Sequence, residues 1–229
     1  MNTSLASSYS AGVSKTTPAS ASFGKFAGFS AILVGLLSIA YAVFFLFIAK
    51  QDEYIGSLGS WLILGISGLF GSAAYVGVYQ RIKGANEGLA LWGLVLGLGA
   101  AFATFAHGIY QALLTNLLHG NIAEAQRNVI MASRLVPSSL DPNGLATFFL
   151  SGIVALIIGL VILHGNNVPR WLGVLALINA ILLVTLFAAT VMGMSTLILI
   201  SGGLASVVAG PIWWVGMGIN LLRSESVKN

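Results

Sequence analysis

Six long runs of apolar residues, almost without charge, constrain the fold of this chain more than any other feature. Each run is as long as the roughly 20 residues that an α-helix needs to cross the apolar core of a bilayer, about 30 Å thick. Only 7% of the residues are charged, against about 25% in soluble domains, so a water-exposed globular surface is excluded. The sequence therefore predicts an all-α, polytopic membrane protein with six transmembrane helices.

The predicted spans are joined by short connections, except between the third and the fourth. They cover approximately residues 26–49, 57–79, 88–118, 142–163, 169–192 and 195–222. Arg170, at the beginning of the fifth span, is the only charged residue within these limits. No span alternates polar and apolar residues as the strands of a transmembrane barrel do, which supports the helical prediction.

This pattern divides the chain into a six-helix transmembrane domain, residues 23–223, and two tails. The first tail, residues 1–22, is rich in Ser, Ala and Thr. It can bury little apolar surface, so we expect it to be disordered or bound by a partner on the cytoplasmic side. Residues 224–229 form a short C-terminal tail, also expected in the cytoplasm.

The basic residues predict the orientation of the spans. The side that holds both termini carries more of them: Lys15, Lys25, Arg81, Lys83, Arg170, Arg223 and Lys228. The other side carries fewer: Lys50, Arg127 and Arg134. Because basic loops stay in the cytoplasm, we expect both termini there and the protein in the inner (plasma) membrane. Basic residues at the ends of spans indicate contacts with anionic lipid headgroups and not with nucleic acid.

The longest connection, residues 119–144, contains a predicted short amphipathic helix. Its apolar residues recur at helical spacing: Leu118, Ile122, Ala125, Val129, Ala132 and Val136. We expect this helix, ended by Pro137, to lie on the outer membrane surface or across the end of the bundle. Asp141 and Pro142 are then typical of the N-cap and the first position of the fourth span.

The tripeptide His-Gly-Asn occurs twice, at His119 after the third span and at His164 after the fourth. A shared metal site is excluded, because the topology places these histidines on opposite sides of the membrane. Each is predicted instead to end a helix, where the imidazole lies near the negative end of the helix dipole. The glycine that follows is expected to adopt the left-handed capping conformation.

His107 is the one histidine inside a span, with Tyr110 and Gln111 on the same side of the third helix. It could ligate the metal of a pigment or haem, or bond to a small ligand. The alternative is a hydrogen bond to a neighbouring helix. A haem held by two histidines is excluded, since no second histidine lies at this depth. The sequence requires no cofactor, and without cysteine it offers no thiolate metal site.

Small residues recur four positions apart in several spans, a spacing that lets membrane helices approach closely. The clearest examples are Gly93, Gly97, Ala101, Ser151, Ala155, Gly159, Gly202, Ser206 and Gly210. These faces serve either the bundle itself or the docking of partners. Next to the last of them, Pro211 removes a backbone donor and is predicted to kink the sixth span.

Two parts of the chain resemble a bacterial family of six-span membrane proteins of unknown function. One is the hairpin at residues 79–91, from Tyr-Gln-Arg to Asn-Glu-Gly-Leu-Ala-Leu. The other runs from Leu-Asp-Pro-Asn-Gly-Leu-Ala at 140–146 to Val-Pro-Arg-Trp-Leu-Gly at 168–173. The resemblance covers the middle half of the chain and implies six spans. It brings no catalytic residues to carry over.

Function has to be argued from a chain with few chemical groups. No phosphate-binding loop, zinc-protease or serine-hydrolase motif is present, so we expect no enzyme activity. The absence of charged residues from the interior of the spans argues against a proton-coupled pump. The leading hypothesis is an accessory or scaffold subunit that packs against other membrane subunits or self-associates. The alternatives are a channel or facilitator for a small neutral or hydrophobic solute, and a pigment- or haem-binding subunit that uses His107.

Overall fold

The structure, a computed structural model, describes residues 18–120, 122–135, 141 and 144–226. Within these residues the chain forms helices and no strand. Six of the helices are long and apolar enough to cross a membrane. The all-α polytopic fold predicted from the sequence is therefore confirmed. Residues 1–17 of the predicted first tail, and residues 227–229 of the last, lie outside the described part of the chain.

In the described part of the chain seven helices follow one another, and three of them contain a π-helical segment. Helix α1 comprises Pro18–Val43, a π segment at Phe44–Ile48, and Ala49–Gln51. Helices α2, α3 and α4 are Glu53–Ile82, Glu87–His119 and Glu124–Leu135. Helix α5 comprises a π segment at Leu145–Leu150 and Ser151–His164, and α6 is Arg170–Val191. Helix α7 comprises Ser195–Gly203, a π segment at Leu204–Ala209, and Gly210–Ser226.

Helix α4 is the predicted amphipathic helix, but it begins later than its apolar pattern suggests. The pattern starts at Leu118, whereas α3 continues through His119 and the chain then turns at Gly120. Residues 124–129 of α4 are all exposed, including Val129. Pro137, predicted to end this helix, lies outside the described residues.

The start of α5 differs from the prediction, because Gly144 and not Asp141 is the N-cap residue. Asp141 is buried, and its carboxylate accepts hydrogen bonds from the backbone N–H groups of Ala146, at 2.6 Å, and Thr147, at 3.2 Å. The Thr147 hydroxyl donates to the same carboxylate at 2.5 Å. Gly144, at φ +72°, is in the left-handed region and interrupts the helical path. The helix therefore begins at Leu145 and not at Pro142, which is itself outside the described residues.

The two His-Gly pairs end their helices as predicted, at His119 and His164. The predicted left-handed conformation of the glycines is wrong. Gly120 has φ −70° and ψ 168°, and Gly165 has φ −100° and ψ 172°, both extended. Each glycine N–H still bonds back to the last turn, so the chain leaves the helix directly into extended backbone.

The six long helices form a closed ring in chain order. Helix α1 packs on α2, α2 on α3, α3 on α5, α5 on α6, α6 on α7, and α7 on α1. Glycines allow the closest approaches. A Cβ added at Gly68 in α2 would lie 2.6 Å from the Ala101 carbonyl oxygen of α3, and one at Gly218 in α7 would lie 2.6 Å from the Gly28 oxygen of α1.

The two halves of the ring differ in packing. We call the half that contains the beginning of α1 and the end of α7 the terminal side, and the other half the loop side. A cluster of buried apolar residues fills the terminal side: Val78, Ile82, Ala90, Ile158, Ile162, Leu172, Met217 and Leu221. All three π segments lie in the loop-side halves of their helices. The ring is thus regular and densely packed on one side and irregular on the other.

Candidate functional site: a central cavity

A cavity of about 180 Å³ lies inside the ring, and all six long helices contribute to its wall. Its lining comes from the central turns of α1, α2, α3 and α6, from the part of α5 between Thr147 and Ile158, and from α7 around Gly210. One water needs only about 10–15 Å³ of such space, so the cavity has room for several waters or one small organic molecule.

The wall of the cavity is polar but uncharged. Its polar side chains are Ser38, Tyr41, Ser67, Tyr75, Thr104, Thr147, Ser151, Asn179 and Ser206. No Asp, Glu, Lys, Arg or His is found among the residues described as lining it. A charged solute would lose its hydration here without gaining an opposite charge, a loss of several kcal/mol in practice. The wall therefore favours uncharged molecules.

Most hydroxyl groups of the wall already donate their proton. Ser67 donates to the Leu64 oxygen at 2.7 Å, and Thr104 donates to the Ala100 oxygen at 2.8 Å. Thr147 donates to the Asp141 carboxylate. A hydroxyl oxygen that donates keeps lone pairs that can accept. These three side chains therefore offer acceptors to the cavity and have no proton left to donate.

Ser38 and Ser206 show how the π segment of α7 is stabilised. In a π-helix each N–H bonds to the carbonyl five residues back, and Gly210 N–H bonds in this way to Ala205. The next bond would run from residue 211 to Ser206, but Pro211 has no N–H. Ser38 of α1 supplies the missing donor, since its hydroxyl bonds to the Ser206 oxygen at 2.9 Å.

Asn179 of α6 lines the cavity and carries an acceptor without a partner. Its side-chain oxygen is buried and has no hydrogen-bond partner among the described residues. A buried acceptor without a partner costs about 1–3 kcal/mol. If the side chain turned this oxygen toward a hydrogen-bond donor in the cavity, part of this cost would be recovered.

Aromatic rings form the terminal-side end of the cavity. The rings of Tyr75 and Trp214 meet edge to face at 5.3 Å, and those of Trp213 and Trp214 at 4.7 Å. Trp213 is fixed by a hydrogen bond from its indole Nε1 to the Leu172 oxygen at 3.1 Å. Below these rings lies the packed terminal-side core, which closes this end of the cavity.

His107 does not line the cavity. Its ring meets the edge of Trp61 at 5.5 Å, and its buried Nδ1 has no hydrogen-bond partner among the described residues. Tyr110, one turn further, is exposed. No three His, Cys, Asp or Glu residues in the described part of the chain are grouped as metal ligands. The structure thus separates His107 from the polar side chains of the cavity.

The predicted small-residue positions all face the interior of the ring or a neighbouring helix. Those that line the cavity are Ala101, Ser151, Ala155, Ser206 and Gly210. The others lie against another helix, as in the pairs Gly93–Ile157, Gly97–Tyr75, Gly159–Gly173 and Gly202–Leu186. Pro211, the predicted kink, directly follows the π segment and Gly210. The sequence left open whether these residues pack the bundle or dock partners. In the structure they lie inside the ring or between its helices.

Sequence reasoning missed most of the polar wall: Ser38, Tyr41, Ser67, Tyr75, Thr104 and Thr147 had no assigned role in binding. A signal was nevertheless present. Ser38 and Tyr41 are three residues apart, and Thr147 and Ser151 are four apart, so each pair lies on one helical face. Polar side chains in a membrane helix almost always face the protein interior, so these faces mark the inside of the ring.

Residues 51–223 match the model of a protein family described as a domain of unknown function (DUF4386). This region includes helices α2 to α6 and α7 as far as Arg223. No curated protein matches the chain. No solved structure matches it either.

Proposed function

Since the chain belongs to the DUF4386 family, whose function is not known, we propose from the cavity that it is a facilitator or channel for small uncharged solutes. The observation that carries this proposal is the position of Asn179. Asn179 lines a cavity to which all six long helices contribute and which has no charged lining residue, and its side-chain oxygen is a buried acceptor without a partner among the described residues. The proposed role is transport without enzyme activity.

The wall also favours one class of solute. The hydroxyls of Ser67, Thr104 and Thr147 are committed as donors, and Asn179 adds a free acceptor. A solute that donates hydrogen bonds through hydroxyl or amide groups complements this wall. The apolar remainder of the lining, such as Val154 and Leu183, suits a small carbon skeleton. Small polyols and amides are therefore the proposed class.

A cavity-filling substitution tests this proposal. Gly71 lines the cavity, and a Cβ added there meets only Ala101, at an ordinary 3.9 Å. Gly71→Leu should fill the cavity and lower glycerol and urea entry into proteoliposomes by about tenfold, as measured by stopped-flow light scattering. Gly203→Leu is the matched control, because Gly203 is outside the cavity and nothing lies within 4 Å of an added Cβ. If the unmodified protein let glycerol and urea enter no faster than they enter protein-free vesicles, the proposal would be contradicted.

An accessory or scaffold role is the second candidate. The observation in its favour is the wide apolar outer surface of the ring, where Phe102 and Ile181 are largely exposed. The small-residue faces do not add to it, because they pack within the ring. Mild detergent extraction followed by mass measurement separates the candidates. A monomer without copurifying subunits would contradict the scaffold role and leave the facilitator role intact.

The pigment- or haem-binding hypothesis rests on His107 and its unpartnered Nδ1. It is weaker than the facilitator proposal, because His107 is not among the residues that line the cavity. Absorbance of the purified protein tests it. A visible band that disappears in His107→Ala would support it, and a spectrum with the protein band alone would end it.

A further inference from the structure

A second concavity lies on the outside of the ring, independent of the central cavity. It is a groove of about 570 Å³ between α1, α6 and α7. Along α7 its lining extends from Val207 to Arg223, which is about 24 Å at 1.5 Å per helical residue. A bilayer including its headgroups is about 40–45 Å thick, so the groove is as long as one leaflet.

The polarity of the groove changes along its length. Its walls away from the terminal end are apolar, formed by residues such as Ile39, Val207 and Ile212. The polar lining residues, Asn220 and Arg223, both lie at the terminal-side end. This order matches a lipid molecule, which has an apolar chain in the bilayer core and a polar headgroup at the surface.

Three helices carry a basic residue on the side of the ring where the groove has its polar end. Arg223 belongs to α7 and lines the groove directly. Asn220 accepts a hydrogen bond from Nε of Arg81 in α2 at 3.1 Å, which holds a second guanidinium beside this end. Arg170 of α6 is exposed next to Trp171, whose indole lines the groove. Tryptophan at this level is typical of the membrane interface.

We propose that this groove binds one anionic phospholipid, with its phosphate at Arg223 and one acyl chain along α7 toward Val207. Arginine guanidinium groups are well suited to phosphate, since they donate parallel hydrogen bonds and stay charged. The apolar part of the groove binds the acyl chain. Inorganic phosphate has no such chain and could occupy only the polar end. Because the groove and the central cavity have separate walls, this site does not depend on the proposed solute pathway.

Two pairs of variants test the headgroup and the chain separately. Arg223→Gln removes the charge at the groove, and Lys83→Gln removes one charge on the same side, where Lys83 lies over the Tyr79 ring outside the groove. Ile212→Trp fills the apolar part, and Ile181→Trp places the same ring on an exposed part of α6. Ile212 and Ile181 are 49% and 67% exposed, so both substitutions leave the core intact.

Native mass spectrometry in detergent measures the bound lipid during titration with phosphatidylglycerol, with phosphatidylcholine of the same chains, or with inorganic phosphate. We expect one bound phosphatidylglycerol per chain, and an apparent affinity lowered by about tenfold in Arg223→Gln and in Ile212→Trp but unchanged in both controls. Equal binding of phosphatidylcholine, an equal loss in Lys83→Gln, or an unchanged affinity in Ile212→Trp would overturn the proposal. Binding of inorganic phosphate as tight as that of the lipid would overturn the role of the acyl chain.

Discussion

At the scale of single residues, two buried polar side chains of the ring differ in whether they have hydrogen-bond partners. Asp141 is buried and is satisfied by two backbone N–H groups and one hydroxyl of α5. Asn179 is the opposite case, with an acceptor that lacks a partner in the described part of the chain. A satisfied group of this kind stabilises the fold, whereas an unsatisfied one is maintained at a cost.

Replacement of Asn179 separates stability from function. Asn179→Leu keeps the approximate size of the side chain and removes the unpartnered acceptor, so we expect the free energy of unfolding to rise by about 1 kcal/mol. The same change removes the proposed ligand contact and should slow solute entry. Chemical unfolding in detergent and the proteoliposome assay measure the two effects. If Asn179→Leu destabilises the protein, its oxygen has a structural partner and the site assignment is wrong.

Replacement of Asp141 should lower the free energy of unfolding more than replacement of Asp52, which caps the start of α2. Asp141→Ala leaves two N–H groups and a hydroxyl of α5 without their acceptor, and we expect a loss of about 2 kcal/mol in unfolding free energy. Asp52→Ala is the matched control, because exposed Asp52 accepts one bond, from the Ile55 N–H at 2.9 Å. Its removal should cost about 0.5–1 kcal/mol. Thermal unfolding of both variants in one detergent compares them, and equal losses would contradict the assigned role of Asp141.

At the scale of helices, the spans could be predicted from the sequence but their irregular segments could not. The second candidate span is Glu53–Ile82 against a prediction of 57–79, and the fifth is Arg170–Val191 against 169–192. Hydropathy and charge determine where a helix must cross apolar lipid, so these limits are encoded locally. Of the π segments, only the one before Pro211 has a signal in the sequence. The segment at Phe44–Ile48 is an ordinary apolar run.

The irregular segment of α7 predicts an energetic coupling between two helices. Ser38→Ala leaves the Ser206 oxygen without its donor and should cost about 1 kcal/mol. Pro211→Ala restores a backbone N–H next to this carbonyl, so the same Ser38→Ala change should cost less in that background. A double-mutant cycle by chemical unfolding should give a coupling of about 0.5–1 kcal/mol.

The matched control for this cycle is Ser67→Ala. The Ser67 hydroxyl bonds within its own helix, to Leu64. The changes in unfolding free energy caused by Ser67→Ala and Pro211→Ala should therefore be additive. Additive behaviour of Ser38→Ala as well would show that the Ser38 hydroxyl does not replace the missing donor of Pro211.

At the scale of the whole molecule, the cavity could not be predicted, because it forms only where faces of six helices meet. Ser38 and Asn179 are far apart in sequence, and neither residue alone indicates which face of its helix turns inward. Local patterns determine helices, whereas the order of the helices around the ring depends on packing between them. The small residues indicated close approach, but not which helices approach one another.

The distribution of basic residues predicts the orientation of the whole ring, and the absence of native cysteine makes the test direct. Gly84→Cys lies in the connection between α2 and α3, and Met192→Cys, at a 71% exposed position, follows α6 on the loop side. In intact cells a membrane-impermeant maleimide should label Met192→Cys and should reach Gly84→Cys only after permeabilisation. The reverse pattern would place the termini outside.

The arrangement of the ring in chain order has a consequence for biogenesis. Each helix that enters the bilayer finds its neighbour already there, so five of the six interfaces can form while synthesis continues. The interface between α7 and α1 is the exception. Its Ser38–Ser206 hydrogen bond joins residues 168 positions apart, and such non-local contacts form late. Until α7 leaves the ribosome, we expect the nascent protein to be an open arc of helices whose future cavity wall faces lipid.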